Sequence, residues 1–365
     1  MRIAQIANNW GKFDPETGIG IAAVIRDVSL GLSEKGNDVT VFAPNGSVFP
    51  GMRLRCVGKS FEELGINLFH PDAPEAQAEY IKEIVSQLHD FDIIHSHAEH
   101  VLLPFIDDIS IPVVSTIHGA GFMPREKTIF QSYPNAIFIA LSEGAKRALP
   151  YIHFSYVVHN GIRFDETVYN PNPSSPACLI WMGRFSENKG VLDAIDAAKK
   201  ARETLFLVGF EEKGQEEYFE KVKHLVDGLG VRIIDKFIGK QKKYSFLGNA
   251  KAFLFPIHWE EPFGLMMPEA MACGTPVIAY NRGSVSDIVK DGFTGFIIDP
   301  DSEDRPGKGT WVIKRQGIEG LVEAIKRIGE IDRAACRKHV ADNFTVEKMV
   351  EGYEKVYQEI MDKRK

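Results

Sequence analysis

The sequence predicts an α/β protein of two doubly wound domains, and three observations carry that prediction. A chain of 365 residues holds about two domains at roughly 150 residues each, both large enough for a core of their own. Short β-branched or aromatic runs alternate with longer stretches of helical spacing, the pattern of a parallel sheet wrapped by helices. The alternation is broken at residues 165–176, where Pro171, Pro173 and Pro176 stand among polar residues and can continue neither strand nor helix. This stretch is read as the interdomain linker, with one domain over residues 1–168 and the other over 169–345.

In the first domain the strand runs are 2–7, 38–43, 91–96, 111–117, 135–141 and 155–159. Helical spacing fits 20–35, 75–89 and 143–149, and Ser142 suits the N-cap of the last because its hydroxyl can accept a first-turn amide. In the second domain the strands are 178–183, 203–209, 231–238, 251–256, 275–279 and 294–298, with helices at 189–201, 214–228, 240–249, 266–273 and 316–329. Pro268 is tolerable only in a first turn, so its helix starts near Leu265. A final stripe of Met349, Val350, Tyr353, Val356, Tyr357 and Ile360 has helical spacing and reads as a packing surface. Ligands of such sheets bind beyond the carboxyl ends of the strands, so two facing domains would enclose a cleft lined by strand-end loops.

Composition narrows the function. Hydrophobic residues at 44% and charged residues at 25% are those of an ordinary globular protein. The net charge of −7 lies in the first part: residues 1–168 carry 13 basic and 20 acidic side chains, residues 169–365 carry 30 of each. An acidic front half suits neither phosphate backbones nor anionic lipid, so no nucleic acid partner is expected and peripheral membrane contact is disfavoured. Four scattered cysteines form no CxxC motif and no disulfide framework, which fits a reducing cytoplasm. Apolar runs fall well short of the roughly 18 residues of a spanning helix, and the opening run is too brief for a signal-peptide core. No oligomeric state can be read.

Two stretches carry the chemistry. In Glu261-Pro262-Phe263-Gly264-Leu265-Met266-Met267-Pro268-Glu269, Glu261 falls in the loop before the helix and Glu269 about one turn inside. The free amides of residues 264–267 would form an anion seat, strengthened by the helix dipole. A carboxylate beside it can accept hydroxyl hydrogen bonds from a sugar or ribose, or simply complement the dipole. In Gly183-Arg184-Phe185-Ser186-Glu187-Asn188-Lys189-Gly190, Arg184 would leave the strand end and Lys189 open the helix. A guanidinium fork and a compact ammonium together suit a diphosphate, although two solvated cations are the plainer reading.

These stretches, with Asn160-Gly161-Ile162 and Ala270-Met271-Ala272-Cys273-Gly274-Thr275-Pro276-Val277, resemble the retaining nucleotide-sugar glycosyltransferases of family 4. The resemblance runs in order over nearly the whole chain. It implies the GT-B fold, two Rossmann-like domains facing across a cleft, with the last helix, 346–365, returning to the first domain and coupling cleft closure to donor binding. It also implies that Arg184 and Lys189 hold the donor diphosphate and Glu269 the ribose hydroxyls. Glu261 and the backbone of Phe263, Gly264, Leu265 and Met266 would contact donor sugar and phosphate. Thr116-Ile117-His118-Gly119 is similar to the family's strand-end histidine motif, so His118 would orient the transferred sugar. The loop Glu16-Thr17-Gly18-Ile19-Gly20 takes the place of the family's Gly-Gly pair, and which of Gly18 and Gly20 meets the phosphate stays open.

Gly18-x-Gly20-x-x-Ala23 also scans as a dinucleotide fingerprint, but ten residues separate it from Ala7 and the second strand ends without a carboxylate. His95-Ser96-His97-Ala98-Glu99-His100 invites a metal reading, yet no matching ligand cluster is evident, and His97 is the candidate for lining the acceptor side. Asp90-x-Asp92 and Asp299-x-Asp301 read as structural. The expectation is a transferase that moves a hexose, best UDP-glucose, to a hydroxyl acceptor with retention, using no metal and no cofactor. A sugar-nucleotide epimerase or phosphorylase of the same fold, or a catalytically silent nucleotide-sugar-binding protein, is the alternative.

Overall fold

The computed structural model describes all residues except 15–19, 120–121, 175–176, 213, 236–238, 302–308 and 365. The chain divides into two compact units, one formed by Met1–Gly161 with Val346–Lys365 and one by Ile162–Thr345. The division falls at Gly161, ahead of the proline-rich stretch, and not after Val168. Local bonding explains this: Ile162 N–H donates to Phe344 O at 2.9 Å and bridges Thr345, which ties the start of the second unit to its own end.

The first unit runs β1 (Arg2–Ile6), α1 (Gly20–Glu34), β2 (Asp38–Ala43), β3 (Arg53–Cys56), α2 (Phe61–Leu64), α3 (Ala73–Val85), β4 (Ile93–Ser96), β5 (Val113–Thr116), α4 (Pro124–Ser132), β6 (Ile137–Ala140), α5 (Glu143–Ala148) and β7 (Phe154–Val157). Its strands are parallel and ordered β3-β2-β1-β4-β5-β6-β7. Helices on both faces bury the central strands, which therefore read as apolar runs: Tyr80, Ile81 and Ile84 of α3 pack on Ile6, Phe42 and Ile94. The sequence reading omits β3 and α4. β3 is an edge strand, Arg-Leu-Arg-Cys, with three of its four residues exposed, so it lacks the apolar signature and carries the charge that protects an edge.

The second unit runs β8 (Leu179–Phe185), α6 (Val191–Ala201), β9 (Leu205–Glu211), α7 (Glu216–Leu225), β10 (Val231–Asp235), α8 (Gly239–Asn249), β11 (Ala252–Phe255), α9 (Met266–Ala272), β12 (Val277–Tyr280), α10 (Val285–Ile288), β13 (Gly295–Ile298), α11 (Gly317–Arg327) and α12 (Arg333–Asn343). Its parallel order is β10-β9-β8-β11-β12-β13. α12, mostly polar and also absent from the sequence reading, is capped by Asp332, which accepts from Ala334 N–H at 2.9 Å. α13 (Val346–Asp362) then belongs to the first unit and lies against α1: a Cβ on Gly31 would clash with Val350. Among the described residues no helix is long and apolar enough to cross a membrane.

Both sheets share one order, with strand succession reversing between β1 and β4 in the first unit and between β8 and β11 in the second. At such a switch point the neighbouring strand-end loops diverge and leave a crevice at the carboxyl edge. The candidate residues cluster at these two places.

Candidate active site

In the second unit Arg184 lies within β8, in register with Phe210 of β9, and does not leave a strand end. The strand runs on to Phe185 because that ring is buried between Trp181 and Phe219, at 5.3 and 4.8 Å. The exposed Arg184 guanidinium pairs with the Glu212 carboxylate just past β9. The chain then makes a 3-10 turn at Glu187–Lys189, so Lys189 precedes α6 and does not open it. Gly190, at φ 65°, ends this turn; a Cβ there would sit 1.7 Å from Pro256 O, so only glycine lets the loop after β8 lie against the loop after β11. Trp181 indole N–H donates to Lys189 O at 3.0 Å and His258 N–H to Asn188 O at 2.9 Å, which pins the same approach.

Lys189 is thereby turned toward β11. Its ammonium donates to Glu261 Oε2 at 2.9 Å and stands 4.7 Å over the Trp259 ring, while Trp259 indole N–H donates to the same oxygen at 3.1 Å. The two charged side chains are only 16% and 13% exposed, so the pair is weakly screened. Ser284 holds the loop from the far side, its N–H donating to Glu261 O at 2.9 Å and its hydroxyl to Phe263 O at 2.7 Å. The Phe263 side chain is core, edge-on to Phe344, so its ring is not presented to a ligand.

Gly264, at φ 75°, turns the chain into α9, and a Cβ there would press within 3.1 Å of Glu261 Cγ. The first-turn amides are fewer than expected. Met267 N–H donates to Gly264 O at 3.0 Å and Glu269 N–H to Leu265 O at 3.1 Å, so among the described residues the open amides are those of Gly264, Leu265 and Met266. One turn on, Glu269 is buried and accepts from Lys243 Nζ at 2.6 Å, with the Tyr244 hydroxyl 3.5 Å from the same oxygen. Burial first, then Glu269, pushes the Tyr244 phenol far above its ordinary value and keeps it a donor. The structure thus gathers Lys189, Glu261 and Gly264 on the β11 side of β8 and leaves Arg184 on the β9 side with Glu212.

In the first unit the histidines form a hydrogen-bonded series. His97 Nδ1 is 2.9 Å from His118 Nε2, and His97 Nε2 is 2.8 Å from Gln5 Oε1. Gln5 Nε2 donates to the Tyr357 hydroxyl at 3.2 Å, and that hydroxyl is 2.5 Å from His95 Nδ1. His95 Nε2 is 2.7 Å from Thr116 Oγ1, itself 3.3 Å from the Tyr353 hydroxyl. Desolvation drives His95 and His97 well below the ordinary imidazole value and brings His118 down to about 3, so all three are neutral near pH 7. His118 N–H donates to both oxygens of Glu99, at 3.1 and 3.2 Å, and Glu99 holds a left-handed φ of 57° that non-glycine residues rarely adopt.

His97 is fully buried with both ring nitrogens engaged, and so offers nothing to an acceptor. Among the described residues no group of three or more His, Cys, Asp or Glu side chains is disposed to hold a metal ion. Asp92 is taken up by the backbone and guanidinium of Arg2, and Asp299 by Asn281 and Trp311, as structural acids would be. Gly20 is the first residue of α1, whereas Gly18 lies outside the described residues.

Sequence reasoning missed Trp259, Lys243, Gln5 and the polar use of Tyr353 and Tyr357. Only the tyrosines carried a signal. Two hydroxyls four residues apart in an apolar stripe need buried partners, which phenylalanine would not.

Residues 19–166 match the family described as Glycosyltransferase Family 4, and residues 165–310 match Glycosyl transferases group 1. An uncharacterised glycosyltransferase of Methanocaldococcus jannaschii is 28% identical over 74% of this chain and 76% of its own length. The N-acetyl-alpha-D-glucosaminyl L-malate synthase of Bacillus anthracis is 26% identical over 95% of each chain. Among solved structures, a sucrose-phosphate synthase from Thermosynechococcus elongatus superposes with a TM-score of 0.78 over 99% of each chain at 19% identity. An Anabaena protein, HepE, solved with UDP and glucose, gives 0.72 at 18% identity over 98% of this chain and 100% of its own.

Proposed function

The chain belongs to the GT-B glycosyltransferases of the family 4 type, and from that premise we propose that it moves a hexose from a nucleotide diphosphate sugar, UDP-glucose being the best candidate donor, to a hydroxyl acceptor with retention and without a metal. The observation that carries this reading is the switch point of the second unit. There Lys189 is held by Glu261 and Trp259 beside the open amides of residues 264–266, with Arg184 across β8. As the glycosidic bond breaks, charge grows on the departing phosphate while the sugar becomes cation-like. Fixed cations and amides aimed at the phosphate therefore lower the barrier more than they strengthen ground-state binding.

In this reading Glu269 takes the ribose hydroxyls, Glu261 the donor sugar, and His118 orients the transferred hexose. A neutral His118 is suited to that task and unsuited to carrying a proton near pH 7. The acceptor attacks from the face the phosphate leaves, and a phosphate oxygen draws off its proton. The bound nucleotide and glucose of HepE support the donor choice.

The test is a thermal-shift screen with UDP, GDP, ADP and dTDP sugars, followed by NMR of the product's anomeric configuration with and without EDTA. A UDP-hexose should raise the melting temperature by mass action, and turnover should survive EDTA with the configuration retained. Inversion, or loss restored only by Mn²⁺ or Mg²⁺, refutes the mechanism. Isomerised sugar formed without an acceptor would instead mark an epimerase.

A further inference from the structure

Building on the reading in which His118 meets the transferred sugar, we infer that Gln5 and Tyr357 are positioning residues: acting through His97, they hold the His118 imidazole as the tautomer whose Nδ1 accepts a sugar hydroxyl.

Direction in the series is set at Gln5. Its carbonyl oxygen only accepts, so the 2.8 Å contact places the His97 proton on Nε2. A neutral imidazole has one proton, so His97 Nδ1 accepts, and at 2.9 Å its donor is His118 Nε2–H. The single proton of neutral His118 is then used, and Nδ1 is left with its lone pair. On the other side the Gln5 amide donates to the Tyr357 hydroxyl, whose own proton goes to His95 Nδ1 at 2.5 Å. His95 Nε2–H is then free to donate to Thr116 Oγ1 at 2.7 Å.

Every member from Gln5 to Thr116 is fully buried. Turning one ring or amide alone would set donor against donor among fully buried groups, so the series keeps one sense as a unit. Packing does not account for it. Phenylalanine at 357 fills the same stripe of α13, and leucine at 5 the same strand position, but neither can pass on a direction. The tilted ring contacts of His95 with His97, centroids 4.0 Å apart, and of His97 with His118, at 5.1 Å, hold the rings in place but leave their protons undetermined.

The experiment reads side-chain ¹H–¹⁵N couplings of His118 at pH 7 in the full-length protein, assigned by their loss in His118→Gln. The wild type should show the proton on Nε2 and a bare Nδ1. In Tyr357→Phe and Gln5→Leu the His118 signals should spread over both tautomers, kcat should fall about tenfold, and KM for the donor should change less than twofold. Tyr357→Phe is isosteric and carries the test if Gln5→Leu fails to fold. A wild-type proton on Nδ1, a doubly protonated ring, variant spectra identical to wild type, or an unchanged kcat with a shifted tautomer overturns the proposal. The spectra need no substrate. A fixed tautomer in a protein that transfers no sugar refutes the functional reading alone, whereas transfer with an unfixed wild-type tautomer refutes the relay alone.

Discussion

Arg184 and Lys189 share an expected role but differ in surroundings, and that difference can be measured. Arg184 is exposed beside Glu212, and exposed ion pairs contribute about 0–1 kcal/mol. Removing Lys189 strands Glu261, only 13% exposed, with the Trp259 indole its remaining side-chain donor among the described residues. Both alanine variants should lower kcat/KM on the order of a hundredfold, about 2.7 kcal/mol. In urea titrations Lys189→Ala should also cost about 2 kcal/mol of stability, with Arg184→Ala close to wild type. Activity of Arg184→Ala within about threefold of wild type would remove it from the diphosphate site. The buried histidines make a second prediction. Their folded pKa values lie below those of the unfolded chain, so the unfolded state binds more protons in mild acid. Stability is then full above about pH 6.5 and is lost on acidification toward the folded values, by up to about 1.4 kcal/mol per pH unit for each ring. Urea midpoints at pH 7 and pH 5 should show this fall, and equal midpoints would mean that the rings are not neutral in the fold.

At the scale of elements, the site in the second unit depends on how closely the loop after β8 approaches the loop after β11. Gly190→Ala tests it, since the added methyl would meet a carbonyl oxygen at 1.7 Å with φ already at 65°. The cost should be about 3 kcal/mol or more, with Lys189 displaced and activity lost. Gly36→Ala is the control: its φ is 84° but nothing lies within 4 Å, so only the backbone term of about 1 kcal/mol should appear. Equal urea midpoints for the two variants would show that the loops can separate at little cost. The same elements show where the sequence was legible. The alternation of apolar runs found the buried strands because burial on both faces leaves no other composition available. β3 and α12 escaped because their environments are partly aqueous and their residues polar.

At the scale of the molecule, α13 is the last element in the chain yet part of the first unit. Its buried face comprises Val346, Met349, Val350, Tyr353, Val356, Tyr357 and Ile360. At about 2 kcal/mol for each buried side chain, that face is comparable to the roughly 5–15 kcal/mol of a whole domain. Deleting residues 346–365 should therefore abolish the cooperative calorimetric transition of the first unit and leave that of the second. An unshifted first transition would show that α13 is dispensable there. The deletion also removes both tyrosines of the histidine series, so fold and site in this unit are lost together.

Arg184, Lys189, Glu261, Glu269 and His118 could be named as candidates from the chain itself because a motif is a local property. The doubly wound class was equally readable, since the periodicity of apolar residues follows from local geometry. Pairing was not. That Lys189 binds Glu261 while Arg184 turns to Glu212, that His97 is a buried link and not an acceptor contact, and that a tyrosine 352 residues from Gln5 completes its hydrogen bonding, all depend on contacts between distant segments. Such contacts are chosen by the order of strands in the sheets, where neighbours in space are not neighbours in the chain, and only the folded molecule specifies that order.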